Sequence, residues 1–395
     1  MRFGINNPAW LQAASAVGGE KFFYFMSRED GNQISFEDTY LGEKSDQMEY
    51  SFDGVEWEQL NSDDSFGLDN GDKIYIRCAS GNIVYDDEAE CNLVSFDDHF
   101  DVGGDLFTLV YSEPNYKEHA DFNSLFMGQD LLLSAKNLKV QTNLSNKLNS
   151  LFAGCSNLLE APKLPATTLT EYCYTNLFSG CTSLITAPEL PAMSLAPECY
   201  SSMFEGCTSL TNVPELPAMS LFDRCYSRTF SGCTSLITAP ELPAMSLAPE
   251  CYSSMFEGCT SLITAPELPA MLLTTDCYSF MFYGCTSLTN VPELPATSAQ
   301  ANCYSGMFSN CTSLMASPII NLQAFNATGC VTRMFFGCSS LSHVTSLTGF
   351  PNSSNSNSWL SGVSATGEFV TYSRYIDEWT RDANGIPTGW TIVEP

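Results

Sequence analysis

The chain has 395 residues, room for two or three domains, and acids outnumber bases 45 to 16, giving a formal charge of −29. That balance excludes nucleic acid and anionic lipid as partners. No apolar run approaches the roughly 18 residues needed to span a bilayer.

The acid excess is concentrated at the front, where residues 1–113 hold 24 Asp or Glu against 6 Lys or Arg. Solubility is the ordinary role of such a surplus. Residues 1–20 read as a lead-in, and Leu11 to Val17 is too short and too polar for a secretory signal. From Lys21 to about residue 113 the pattern is that of an antiparallel, sandwich-like β domain. Phe22–Phe25, Ile34–Phe36, Met48–Phe52, Val55–Glu58 and Lys73–Cys78 are strand candidates. Asp53-Gly54 marks a hairpin, because a tight turn needs positive φ. The acids Asp63, Asp64, Asp69 and Asp72 with Asn70 lack the alternating spacing of a calcium loop and read as turn residues. Asp86–Glu90 reads as a solvated loop.

A junction over 114–124 leads to Leu125-Phe126-Met127-Gly128-Gln129, which echoes Leu151-Phe152-Ala153-Gly154-Cys155 at a distance of 26. Residues 125–150 are therefore expected to be a degenerate capping repeat. Over 151–350 the echo becomes a clock. Phe-x-Gly-Cys-x-Ser-Leu places Cys155, Cys181, Cys207, Cys233, Cys259, Cys285 and Cys311 at intervals of 26, with Cys338 one late. A second series, Cys173, Cys199, Cys225, Cys251, Cys277 and Cys303, keeps the same period, with Cys330 again one late. Such a period is the signature of a solenoid.

Within one repeat, Leu184, Ala187 and Leu190 are the apolar positions of a strand that Pro188 and Pro191 keep to a few residues. Pro197–Gly206 reads as a short helix, with proline in its first turn, Glu198 at its positive end and Gly206 as its cap. Cys199, Met203 and Phe204 then lie on one face. Glu171, Glu198, Glu250, Asp276 and Asp223 read as acids of these helix N-termini. One short parallel strand plus one short helix per 26 residues is the leucine-rich-repeat plan, and eight to nine turns make an α/β array roughly 40 Å long.

The fifteen cysteines of the clock read as ladders of buried free thiols, since stacked side chains point the same way and suit neither disulfides nor a metal array. Cys78 and Cys91 lie outside the clock, and the sequence does not decide whether they pair. Residues 181–206 and 233–258 are identical at all 26 positions. Copied units give a periodic surface, whereas an active site needs different groups brought together once. With His99, His119 and His343 unpaired, no catalytic residue, cofactor or metal site is expected. The one candidate site is a repeated acid, Glu189, Glu215, Glu241, Glu267 and Glu293, with Lys163 in the first full copy. It reads either as a solvated stripe or as a binding stripe for a basic or hydroxyl-rich partner. After Cys338 the clock stops. Residues 351–395 hold a Ser/Asn-rich linker and then a small β-rich cap with strand candidates Glu368–Tyr372 and Trp390–Val393. There Trp359, Tyr375, Trp379 and Trp390 are expected to close the array.

The motif Phe-x-Gly-Cys-Thr-Ser-Leu with Ala-Pro-Glu-Leu-Pro-Ala and Cys-Tyr resembles the BspA-like leucine-rich repeat proteins of gut and oral Bacteroidales. Glu49–Trp57 with Gly71–Arg77 is similar to the β domain that precedes their repeats, and Gly362–Gly367 with Gly385–Thr391 resembles their usual terminus. The resemblance covers nearly everything after residue 20. It implies a non-enzymatic, cell-surface or extracellular adhesion protein whose array contacts a host or cell-surface protein or glycan. The sequence as written carries neither signal peptide nor lipoprotein cysteine. The alternative expectation is a phage virion protein, with residues 1–113 docking to the particle or to an oligomeric partner.

Overall fold

The computed structural model describes residues 21–36, 48–61, 64–79, 94–109, 122–140, 148–322, 327–349, 355–382 and 384–395. They form two compact units, 1–165 and 166–395. Cys91, His119, Asp63 and Asp86–Glu90 lie outside the described residues.

In the first unit, strands β1 (Phe23–Ser27), β3 (Met48–Ser51), β4 (Glu58–Gln59), β6 (Lys73–Cys78), β8 (Phe100–Asp105) and β9 (Leu132–Lys139) make a six-stranded sheet in the order β4-β3-β6-β1-β8-β9. Strands β2 (Asn32–Phe36), β5 (Ser65–Leu68) and β7 (Val94–Phe96) make a three-stranded sheet, β5-β2-β7. Aromatic side chains from the alternating inward positions join the two sheets. Phe25 of β1 meets Phe96 of β7 at 5.5 Å, and Tyr50 of β3 meets Phe66 of β5 at 4.6 Å. The expected hairpin is present: Glu49 pairs with Gln59, Gly54 has φ +74°, and the Asp53 carboxylate accepts from the amides of Val55 and Glu56.

Every pairing in these two sheets is antiparallel except the last, where β8 runs parallel to β9. Beyond β9, Ser134 bridges Glu160 and Lys139 bridges Lys163, 26 and 24 residues on, again in parallel. The β domain thus offers one edge strand as the template on which the 26-residue step begins, and that edge is never left open. Gly104 makes this possible. Its φ is +78°, and a Cβ there would collide with the Phe22 carbonyl. Alanine at 104 should therefore cost about 2 kcal/mol or more. Amide hydrogen exchange in β1 and β8 measures this directly, and unchanged protection would refute it.

The second unit is a stack of repeats held mainly by main-chain hydrogen bonds. The expected helix over Pro197–Gly206 is absent, and no α-helix occurs among the described residues. Amides there alternate in direction. Those of Tyr200, Ser202, Phe204 and Gly206 donate to the carbonyls of Cys225, Ser227, Thr229 and Ser231 in the next repeat. Those of Cys199, Ser201, Met203, Glu205 and Cys207 close turns onto the carbonyls three residues earlier. Glu198, Ser202 and Gly206, every fourth residue, have φ of +54°, +52° and +74°. That is the conformation required at the third position of a type II turn. A helix would spend every amide on its own chain. Overlapping turns release half of them to the neighbouring repeat. Their four-residue period also buries Cys199 with Met203 and Tyr200 with Phe204, so the apolar spacing imitates a helix.

The strand side of each repeat is correspondingly thin. Thr186–Asn212, Thr238–Thr264 and Thr264–Asn290 are single parallel bridges, because the Pro-Glu-Leu-Pro segment that follows lacks two amide donors. Where that segment is gone, strands of four or five residues appear: β10 (Ala316–Ile320), β11 (His343–Ser346), β12 (Gly367–Val370) and β13 (Trp390–Val393), all parallel. The turn ladder runs on beside them. The amides of Val331, Arg333, Phe335 and Gly337 donate to Asn355, Asn357, Trp359 and Ser361. Trp359 is fully buried, stacks on Trp379 at 5.2 Å and donates its indole N–H to Gly385.

Between turns and strands lie four columns of identical side chains. Phenylalanines 178, 204, 230, 256, 282 and 308 stack at 5.6–5.8 Å, as do tyrosines 174, 200, 226, 252, 278 and 304 at 5.6–5.9 Å. From Cys207 to Cys338 the thiol of each Gly-Cys cysteine donates to a phenylalanine carbonyl of the preceding repeat, as Cys207 does to Phe178 and Cys233 to Phe204. Every described cysteine is buried. Burial pushes the thiols of Cys207 and Cys259 from 9.0 up to about 12, and raises the tyrosines of the column as well. Such groups favour the folded state in their neutral forms. Their contribution is complete below the unfolded thiol value of 9.0 and is lost between there and about 12. The melting temperature should therefore hold from neutral pH to about 9 and fall steeply above it. A flat profile to pH 11 would contradict this.

Candidate binding face

The repeated acid sits on the strand side of the second unit. In Pro214-Glu215-Leu216-Pro217-Ala218, the extended backbone turns Pro214, Leu216 and Ala218 inward and leaves Glu215 in solvent. Glu189, Glu241, Glu267 and Glu293 repeat that placement and are all exposed. None of the five carboxylates has an ionic or hydrogen-bonding partner among the described residues. Lys163, in the first unit, is exposed and bridges Lys139.

Between successive acids the surface dips. A depression of about 510 Å³ is lined by Asn212, Pro214, Glu215, Pro217, Pro240 and Glu241 among others. One repeat further on, a depression of about 320 Å³ lies among Pro240, Glu241, Pro266 and Glu267. The same prolines that thin the strand line these hollows, and each hollow has a carboxylate on both sides.

Two further ladders flank the acids along the chain. Four residues before three of the acids lie Ile185, Ile237 and Ile263, about half exposed, while Thr211 and Thr289 hold that place before Glu215 and Glu293. Four residues after lie Met193, Met219, Met245 and Met271, 50–67% exposed. Sequence reasoning assigned the buried Leu184, Ala187 and Leu190 correctly but passed over these outward apolar residues. The available signal was adjacency: next to an inward Leu184, Ile185 falls on the solvent side.

The second acidic set is placed differently from expectation. With no helix, Glu198, Glu250 and Asp276 occupy left-handed turn positions. Arg224 stands between the first two, bidentate to Glu250 at 2.7 and 2.8 Å and 3.6 Å from Glu198. It belongs to the repeat that separates the two identical copies, so unlike charges alternate there where identical neighbours would stack like on like. Being half exposed, the pair is worth no more than about 1 kcal/mol. Arg224→Ala should lower stability by at most that amount in urea denaturation, and a loss several times larger would show the pair to be a structural requirement.

The remaining chemistry-bearing groups are scattered. Asp64 and Asp69 cap turns by accepting from Asn61 and Gly31, consistent with the turn reading of that cluster. Glu29, Asp98 and His99 bring three donor atoms within 4.8 Å of one another on the first unit. His343 meets Glu368 at 3.0 Å across β11 and β12. Arg28 pairs with the buried Asp101, whose carboxyl burial pushes up against the opposing pull of the guanidinium. Residues 131–237, 198–315 and 250–366 match the family model for the BspA type leucine rich repeat region, in six copies. No curated protein matches the chain. Among solved structures it is similar to a leucine-rich repeat protein from Bacteroides ovatus ATCC 8483. The identity is 16%, over 78% of this chain and 99% of that one, with a TM-score of 0.21.

Proposed function

The chain belongs to the BspA-type leucine-rich repeat family, and from that premise we propose that it is a non-enzymatic binding protein of the cell surface or extracellular space. Its partner is a surface protein or glycan, held along the strand side of the repeats. The observation that carries this reading is the recurrence of one unpaired acid in five successive repeats, with proline-lined hollows between Glu215, Glu241 and Glu267 and an outward methionine after four of the five acids. A partner that touches one repeat weakly gains from touching several in register. Copying a repeat without change preserves such a surface. It contributes nothing to a reaction centre, which needs unlike groups converging at one point.

The test is a binding screen of the full chain against glycans, extracellular-matrix proteins and cell-surface preparations. Binding is expected, and the combined variant Glu215→Lys, Glu241→Lys, Glu267→Lys should weaken it about tenfold or more, a change of about 1.4 kcal/mol. Arg228→Ala, on the turn side, should leave it unchanged. A folded chain that binds nothing in the screen, or that loses affinity through Arg228 and not through the acids, would overturn the proposal.

A further inference from the structure

We infer that the occupant of the strand side is a basic amphipathic α-helix of a partner protein, lying along the stack with one Lys or Arg per turn on the line of acids. This rests on the proposal that the strand side is the binding face, and narrows it to one class of partner.

Charge is the first argument. Glu215, Glu241 and Glu267 are exposed and unpaired, and they border consecutive proline-lined hollows. A lysine or arginine suits such a hollow, laying its aliphatic stem over the prolines while its head lies between two carboxylates. Neutral sugar hydroxyls would leave the like charges of the ladder uncompensated, whereas a cationic stripe relieves their mutual repulsion.

Period is the second. Bridged backbones of neighbouring repeats lie about 4.8 Å apart, and the ring columns step by 5.6–5.9 Å. A helix presents one residue per turn along its face every 5.4 Å or so, inside that interval. An extended chain presents one every 6.7 Å or so and drifts out of register. Over the four steps from Glu189 to Glu293, four helical turns cover about 22 Å against roughly 19–24 Å for the ladder, while a strand covers about 27 Å.

Backbone satisfaction is the third. A polypeptide laid on the face of a sheet finds no ladder of amides and carbonyls to pair with, as it would at an edge. A helix arrives with its own amides already satisfied. The fourth argument is the methionine ladder. Met219, Met245 and Met271 are outward, unbranched and adaptable, and such side chains accept the apolar flank of an amphipathic helix.

Three synthetic 18-residue peptides of one composition, Lys and Leu on an Ala background, decide the matter by fluorescence anisotropy with the full chain. One carries Lys once per turn with Leu on both flanks, one is scrambled, and one alternates Lys with apolar residues as a strand would. The helical design should bind about tenfold tighter than either isomer, gain helicity on binding, and weaken as salt rises from about 0.1 M to about 1 M. Glu215→Gln with Glu241→Gln and Glu267→Gln should reduce its affinity about tenfold, with the unchanged melting temperature confirming the fold. Met219→Ser with Met245→Ser and Met271→Ser should reduce it independently of salt. Equal binding of the strand isomer, or indifference to the Gln variant, overturns the inference. If a surface partner from the screen binds through this face while the helical peptide neither binds nor competes, the broader reading stands and this one falls.

Discussion

The whole repeat unit depends on how its backbone amides are divided. Half close turns within a repeat and half reach the next one. Each amide that reaches the next repeat adds about 1 kcal/mol of net stability, and from Tyr172 onward four or five of them join each pair of neighbours in the turn region. That sum offsets the strain of holding residues such as Glu198 and Ser202 in the left-handed region, which L side chains enter at a cost of about 1–2 kcal/mol each. The side-chain columns follow from it. Once the backbone step is fixed, equivalent residues stand above one another, and Phe, Tyr and Cys fill their columns because each fits its own image. The Gly-Cys cysteine holds its position by size and by its weak S–H donor, which adds a second hydrogen bond to a phenylalanine carbonyl that already accepts a turn amide.

Much of this was legible in the sequence because a 26-residue period states directly which residues are neighbours. The buried thiol ladders, the outward glutamates and the hairpin at Asp53-Gly54 all follow from alternation and copying. The helix did not hold, for a physical reason. Alternating turns with a four-residue period and a helix with 3.6 residues per turn bury nearly the same positions, so Cys199, Met203 and Phe204 fit both. What separates them is where the amides go, and no side chain reports that. The residues at Glu198 and Ser202 have no special freedom for positive φ; only Gly206 hinted at it. The parallel edge β8–β9 was hidden as well, since pairing across a crossover is set by tertiary geometry, with Gly103-Gly104 as its only trace.

The candidate site was half legible. The acids stood out by recurrence, whereas Ile237 and Met245 look like ordinary core residues until the neighbouring Leu236 and Ala244 are seen to take the inward positions. The proline-lined hollows could not be read at all, because they exist only between repeats. One economy links fold and function here. Pro-Glu-Leu-Pro thins each strand to a bridge, and the same prolines line the depressions that border the acids. A surface for binding is made by the residues that weaken the sheet, and the turn ladder on the other side is what makes that weakening tolerable.

The division of amides is tested most directly by far-ultraviolet circular dichroism and amide I infrared spectroscopy on the intact chain in solution. Turns and sheet without a helical component are the expected result, since no described residue is α-helical. A helical signal amounting to about ten residues per repeat, the length of Pro197–Gly206 in each copy, would contradict the account and restore the strand-plus-helix repeat in its place.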